Sequence, residues 1–162
     1  MKNDISAIGN ALVDTVFKVD HSLITELGLE IDQMTLSSAE EHAPIIERLI
    51  ASGADTVSDC GGSATNSLVA AASFGAKCFH VCKVSNDQDG KRYLKSLKEA
   101  GVDHKGNTAS ADSLPTGKCL ILVTPDAKRT MTTALNVSSL MDESDLDLNE
   151  ISNSKIFYIE GY

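Results

Sequence analysis

The chain has 162 residues, 42% of them hydrophobic and 23% charged, and a formal net charge of −9. That size and balance fit one globular domain able to bury a core of its own, and they exclude a disordered or collagen-like chain. The acidic charge and the absence of Trp argue against nucleic acid or an anionic membrane as partner.

The N-terminal residues carry no address, since the first apolar stretch is broken by Asn10 and Asp14 and is too short and polar for a signal or membrane segment. Residues 5–8 read as a short buried strand ended by Gly9-Asn10. A second strand is expected over 12–19, followed by a short helix over 22–29. Ser37 and Ser38 precede Glu40 and Glu41 at capping-box spacing, and Ile45, Ile46, Leu49 and Ile50 form the apolar stripe of a clear helix closed near Gly53. Residues 56–60 are extended in character. Gly61-Gly62 then opens a helix over 63–74, with Ser63 as its expected N-cap and Gly75 at its end.

A strand over 77–84 puts Cys78 and Cys82 on one face. The four cysteines, Cys60 and Cys119 included, lack metal-ligand spacing and read as free thiols in a reducing cytoplasm. The four histidines are too scattered for a metal site. A helix follows over 88–100. Residues 118–124 form a buried strand, Pro125-Asp126-Ala127 a turn, and 129–133 the returning strand. The acidic run Asp142, Glu143, Asp145, Asp147, Glu150 predicts a solvated first helical turn, without the glycine turn or terminal Glu of a calcium loop. Residues 155–159 make a last strand. Alternating strands and helices predict an α/β fold with a mostly parallel sheet, flanking helices and a small antiparallel appendage.

Neither a P-loop nor a G-x-G-x-x-G turn is present, and Ser52-Gly53-Ala54-Asp55 closes a helix where a phosphate turn would open one. Two other turns carry chemistry. Gly9-Asn10-x-x-x-Asp14 follows the first strand, where an amide and a carboxylate can meet a ligand and Asp14 can accept hydrogen bonds from vicinal hydroxyls. The turn at 61–67, Gly61-Gly62-Ser63-x-x-Asn66-Ser67, lets backbone approach a ligand closely at a helix N-terminus. On spacing alone, the first turn could equally be a plain capped corner, and the second reads first as a helix N-cap without a ligand.

In this order the motifs resemble the ribokinase-like, or PfkB, family of carbohydrate and nucleoside kinases, in its adenosine-kinase branch. The resemblance rests on Gly9-Asn10-x-x-x-Asp14; on Gly61-Gly62-Ser63-x-x-Asn66-Ser67 with Phe74-Gly75 and Val84-x-x-Asp87-x-x-Gly90; on Thr116-Gly117 and Pro125-Asp126-x-x-Arg129-Thr130; and on Ile159-Glu160-Gly161-Tyr162. It implies that Asn10 and Asp14 bind sugar hydroxyls. Gly61, Gly62, Ser63 and Asn66 would form the opposite wall, with Glu160 at the floor, and Arg129 would steady the transferred phosphate. Segments near 12–19 and 118–133 would form a lid over the substrate. ATP and Mg2+ are the implied cofactors, a sugar or nucleoside the implied partner, and a homodimer through the lid the implied assembly. Asn136 departs from the family's glycine after the arginine strand. Family members run to about twice this size, and no turn here matches their catalytic aspartate. The expectation is the N-terminal, substrate-binding half of a kinase, or else a non-catalytic binding module derived from it.

Overall fold

The computed structural model describes residues 2–109 and 114–160. β1 (Asn3–Ile8) runs parallel to β5 (Cys78–Ser85) on one side and to β9 (Ser154–Ile159) on the other. β6 (Val102–Ala109) pairs in parallel with β5, giving a four-stranded sheet in the order β6-β5-β1-β9. In β5 every residue except Lys83 is buried, as a near-continuous apolar run demands when both faces of a parallel sheet are covered. α3 (Ser63–Ser73) and α4 (Gln88–Glu99) lie side by side on one face, and a 3-10 turn (Asn136–Leu140) and a later short helix (Leu148–Ser152) cover the other. Ala7, Ala64, Leu68, Cys78, Cys82, Val84, Tyr93 and Leu97 form the core between the sheet and the α3–α4 pair. The Ala-rich face of α3 allows the close helix–sheet approach that its composition predicts.

The second sheet has the order β3-β8-β7-β2-β4. Its strands are β2 (Leu12–Lys18), β3 (Met34–Leu36), β4 (Thr56–Gly61), β7 (Gly117–Val123) and β8 (Arg129–Ala134). The expected antiparallel appendage is thus larger and mixed. β2/β4 and β7/β8 are antiparallel, whereas β2/β7 and β3/β8 are parallel. Chain order cannot reveal a parallel pairing between strands a hundred residues apart. One face of this sheet packs on α1 (His21–Glu26) and α2 (Ala39–Ala51) through Phe17, Ile24, Leu49, Leu120 and Leu122. Ser38 and Glu41 complete the capping box that opens α2, which satisfies two otherwise unpaired amides at its start.

Two strands escaped the sequence reading. β3 is three residues long, and β6 (VDHKGNTA) has no alternating apolar pattern. The acidic run also differs from expectation. Asp142 caps a short 3-10 turn (Glu143–Asp145), and Asp147 caps α5 (Leu148–Ser152). Asp145 and Glu150 are buried: Lys83 donates to Asp145 at 2.8 Å, and Lys2 and Asn3 donate to Glu150. These carboxylates tie the segment to the parallel sheet, so they are partnered groups and not a solvated face.

All four cysteines are free, with Cys78, Cys82 and Cys119 buried. His42 and His80 are buried and hydrogen-bonded, to Thr132 and to Ala7 and Thr65 respectively. β9 is exposed along its length, and Ile156, Phe157, Tyr158 and Ile159 present apolar side chains on both of its faces. Among the described residues no helix is long and apolar enough to cross a membrane.

Candidate functional site

Four chain crossings join the two sheets: Gly9–Ala11, Gly61–Gly62, Pro115–Thr116 and Leu135–Asn136. They meet beside a cleft of about 150 Å³. Asn10, Asp14, Gly62, Ser63, Asn66, Arg129 and Glu160 all line it. The two polar corners, some fifty residues apart in sequence, therefore share one cavity. A larger groove of about 570 Å³ lies around Lys18, Glu26 and Arg48, at the ends of β2 and β7. It contains none of the candidate residues, and its Arg48 is already paired with Glu26 at 2.7 Å.

Gly61 is not in the cleft lining, yet it sits against the site. A Cβ there would run into the Asp14 carboxylate, and one on Gly62 would run into the Asn10 carbonyl. Gly62 has φ +96, a conformation other residues rarely adopt. Gly62 is also the N-cap of α3, correcting the expectation for Ser63. The cap position needs the positive φ, which only glycine supplies cheaply. Ser63 becomes the first helical residue and, like Asn66, is exposed. Both side chains are left free of capping duty at the rim of the cleft.

Asp14 is the electrostatic centre. Burial pushes its carboxyl up to about 6, Arg129 pulls the other way, and Asp59, its cross-strand neighbour on β4, adds to the rise. A carboxylate held this way gains most from a ligand that donates hydrogen bonds to it. At the floor, the Glu160 backbone N–H donates to the Ile8 carbonyl at 3.2 Å. Its Oε2 is buried and has no hydrogen-bond partner among the described residues. Gly161 and Tyr162, which follow in the same motif, lie outside the described residues.

The rest of the lining comes from the inward face of the second sheet: Leu12, Met34, Cys119, Ile121, Met131, Thr133 and Leu135. None was singled out from the sequence, although the signal was there. Residues alternate faces along a strand, and the β7/β8 register opposes Cys119 to Thr133, Ile121 to Met131 and Val123 to Arg129. Once Arg129 is placed in the cleft, period two brings Met131, Thr133, Cys119 and Ile121 with it. Leu120 and Leu122 then face the opposite, helix-covered side.

The crossings are held by polar contacts. Asp87 caps α4 through Gly90 N–H and accepts from both the N–H (2.8 Å) and hydroxyl (2.7 Å) of Thr116. Asn136 has φ +49 and donates its side-chain amide to the Thr116 carbonyl at 3.1 Å. It thus takes a left-handed conformation, which asparagine tolerates better than most residues.

Residues 30–162 match the pfkB family of carbohydrate kinases. The chain belongs to that family. The adenosine kinase of Sinorhizobium meliloti superposes with a TM-score of 0.92 at 30% identity, covering 100% of this chain and 48% of that one. The mouse (Mus musculus) ribokinase is 30% identical over 98 residues, 59% of this chain and 30% of its own. The Schistosoma mansoni adenosine kinase in complex with 2-fluoroadenosine has a TM-score of 0.85 at 19% identity, over 98% of this chain and 47% of that one, which speaks for the fold. The chain spans less than half the length of these pfkB relatives. Among the described residues no three His, Cys, Asp or Glu side chains gather where a metal ion could be held. A magnesium ion carried on a nucleotide is held mostly by phosphates and water with one or two carboxylates, so an ATP site does not require such a cluster.

Proposed function

We propose that this chain is the substrate-binding part of an ATP-dependent sugar or nucleoside kinase, and that its cleft holds the hydroxyl-bearing substrate. The observation that carries the reading is the convergence of Asp14, Asn10, Ser63, Asn66 and Glu160 on one cavity. A half-buried carboxylate, two amides, a hydroxyl and an unpartnered carboxylate oxygen are what a vicinal diol needs to satisfy its donors and acceptors. Beyond Asp14 the inward sheet face turns apolar, through Leu12, Met34, Ile121, Met131 and Leu135. That surface suits a flat base attached to the sugar, so a nucleoside is favoured over a free sugar.

In this reading Asp14 accepts from two adjacent hydroxyls and orients the ring. Arg129, within electrostatic reach of Asp14, faces the arriving phosphate, and the second sheet acts as a lid that excludes water. ATP with Mg2+ would supply the phosphoryl group. The base that removes the hydroxyl proton and the groups holding the nucleotide would come from a second half, in the same polypeptide or another. β9 supports this, because parallel strands are ordinarily covered on both faces and its apolar side chains stand exposed.

Calorimetric titration with adenosine, ribose, fructose and 2-keto-3-deoxygluconate tests the substrate. Adenosine is expected to bind most tightly, and absence of binding by all four would refute the reading. Turnover recovered on adding the second half of the Sinorhizobium meliloti adenosine kinase would favour a kinase part over a non-catalytic sensor.

A further inference from the structure

Behind the cleft lies a second polar assembly that the kinase reading does not use. Tyr93 (α4), Thr65 (α3), His80 (β5) and Ala7 (β1) have no solvent exposure at all. The Thr65 hydroxyl lies 2.5 Å from the Tyr93 hydroxyl and 3.3 Å from His80 Nε2, and His80 Nδ1 lies 3.3 Å from the Ala7 carbonyl. The directions of these bonds follow from chemistry. The Ala7 carbonyl can only accept, so Nδ1 carries the proton. In a neutral imidazole Nε2 must then accept, and Thr65 donates to it. Thr65 in turn accepts from Tyr93. Every polar atom in the chain is satisfied in one direction only. Burial, the dominant influence, holds His80 down to about 4, with His104 on the neighbouring strand acting the same way and the Ala7 bond opposing. The ring is therefore neutral near pH 7.

Thr65 lies in the first turn of α3, two residues after Ser63 and one before Asn66. Ala7 lies on β1, three residues before Asn10. The chain of bonds thus clamps the helix that bears one wall of the cleft to the strand that bears the other. Apolar packing alone would allow α3 to slide or roll, because Ala64 and Leu68 are smooth contacts. A directional bond network in a low-dielectric core fixes one arrangement.

We propose that Thr65 is a positioning residue for the cleft. Its two hydrogen bonds set the rotation of the first turn of α3, and hence where Ser63 and Asn66 present their polar groups. The inference rests on reading the cleft as the substrate site.

The test uses adenosine as probe with three variants, titrated well below their melting temperatures. Thr65→Val removes both bonds at nearly constant shape and is expected to weaken binding about tenfold, since small misplacements of binding groups are costly. Thr65→Ser keeps the hydroxyl and should restore affinity to within about twofold. Leu97→Ala opens a cavity in the same core (Leu97 is fully buried) and should lower the melting temperature while leaving affinity within about twofold. Binding by Thr65→Val as tight as wild type, or an equal loss in Leu97→Ala, overturns the proposal. If Thr65→Val does not fold, Tyr93→Phe stands in for it, with an expected loss of about threefold; unchanged affinity there overturns the proposal.

Nitrogen NMR of histidine-labelled wild-type chain adds a readout free of ligand. His80 should show a neutral Nδ1–H ring, and the Nε2–H form would overturn the bond directions. If the wild-type chain binds none of the four ligands, displaced amide signals at residues 62–66 in Tyr93→Phe, whose substitution lies on α4, would keep the positioning role and remove only the substrate reading. Unmoved signals would remove both.

Discussion

The two sheets obey different rules. In the parallel sheet, β5 and β1 are buried on both faces, and their side chains are chosen for packing. In the second sheet only one face is packed, on α1 and α2 through Leu120, Leu122 and Phe17. The other carries Asp14, Arg129, Cys119 and Thr133 into the cleft. The first sheet supplies a packed frame, and the second leaves one face open to the cleft. Asp14 shows what this costs, because its carboxyl is partly buried with no cation at contact distance among the described residues, and its raised proton affinity records the strain. Substitutions in the first sheet should therefore move melting temperature, whereas substitutions on the open face of the second should move affinity.

The largest effect is expected at Lys83, on β5, whose ion pair with Asp145 is mostly buried at 2.8 Å. Lys83→Met leaves that carboxylate buried and unpaired, at a cost of about 3–5 kcal/mol. Chemical denaturation should read it as a lower midpoint. A loss under 1 kcal/mol would mean that the acidic segment is not pinned to the sheet.

Asp14→Asn comes next. It should weaken adenosine binding roughly a hundredfold, the value of two hydrogen bonds to a charged acceptor. The melting temperature at pH 7 should hold or rise, because a carboxylate with a raised pKa opposes folding when ionised. A drop in melting temperature with affinity intact would reverse the comparison between the sheets.

The pH dependence follows with a smaller effect. Ionised Asp14 offers both oxygens and a charge to two hydroxyls, whereas protonation turns one oxygen into a donor, so affinity should be flat above pH 7 and fall as pH drops through about 6. Near pH 5 the loss should be about tenfold. For stability the sign is opposite. The folded carboxyl holds its proton more tightly than the unfolded one, so its contribution is greatest below pH 4 and is lost as pH rises through 6. Calorimetry across pH 5–8 separates the two trends, and affinity that is level over this range would exclude Asp14 as the acceptor.

The smallest change belongs to the crossings. Asn136→Gly relieves a positive φ but loses the bond to the Thr116 carbonyl, and the two should cancel to within about 1 kcal/mol. A larger loss in thermal melts would mean that the side-chain bond dominates the joint between the sheets.

These contrasts explain what was legible in the sequence. The runs at 77–84 and 118–124 announced themselves, because strands packed against a core keep an apolar signature. The polar corners at Asn10–Asp14 and Gly61–Asn66 were legible because each pairs strand-end or glycine geometry with a polar group. β6 was not, since it reads VDHKGNTA and is partly exposed along most of its length. Met34, Cys119 and Met131 were missed for a related reason. Their place in the cleft follows from strand pairings such as Met34 with Met131 and Asp14 with Cys119, which are tertiary facts. Glu150 and Asp145 looked like surface charges because their partners, Lys2, Asn3 and Lys83, are 62 to 148 residues away.

The most direct test of the shared cleft is an amide NMR titration of the wild-type chain with adenosine at pH 7.5. The expected result is that signals of residues 10–14 and of residues 62–66 shift together, with one common dissociation constant. Shifts confined to a single corner, or to the groove around Lys18 and Arg48, would contradict it.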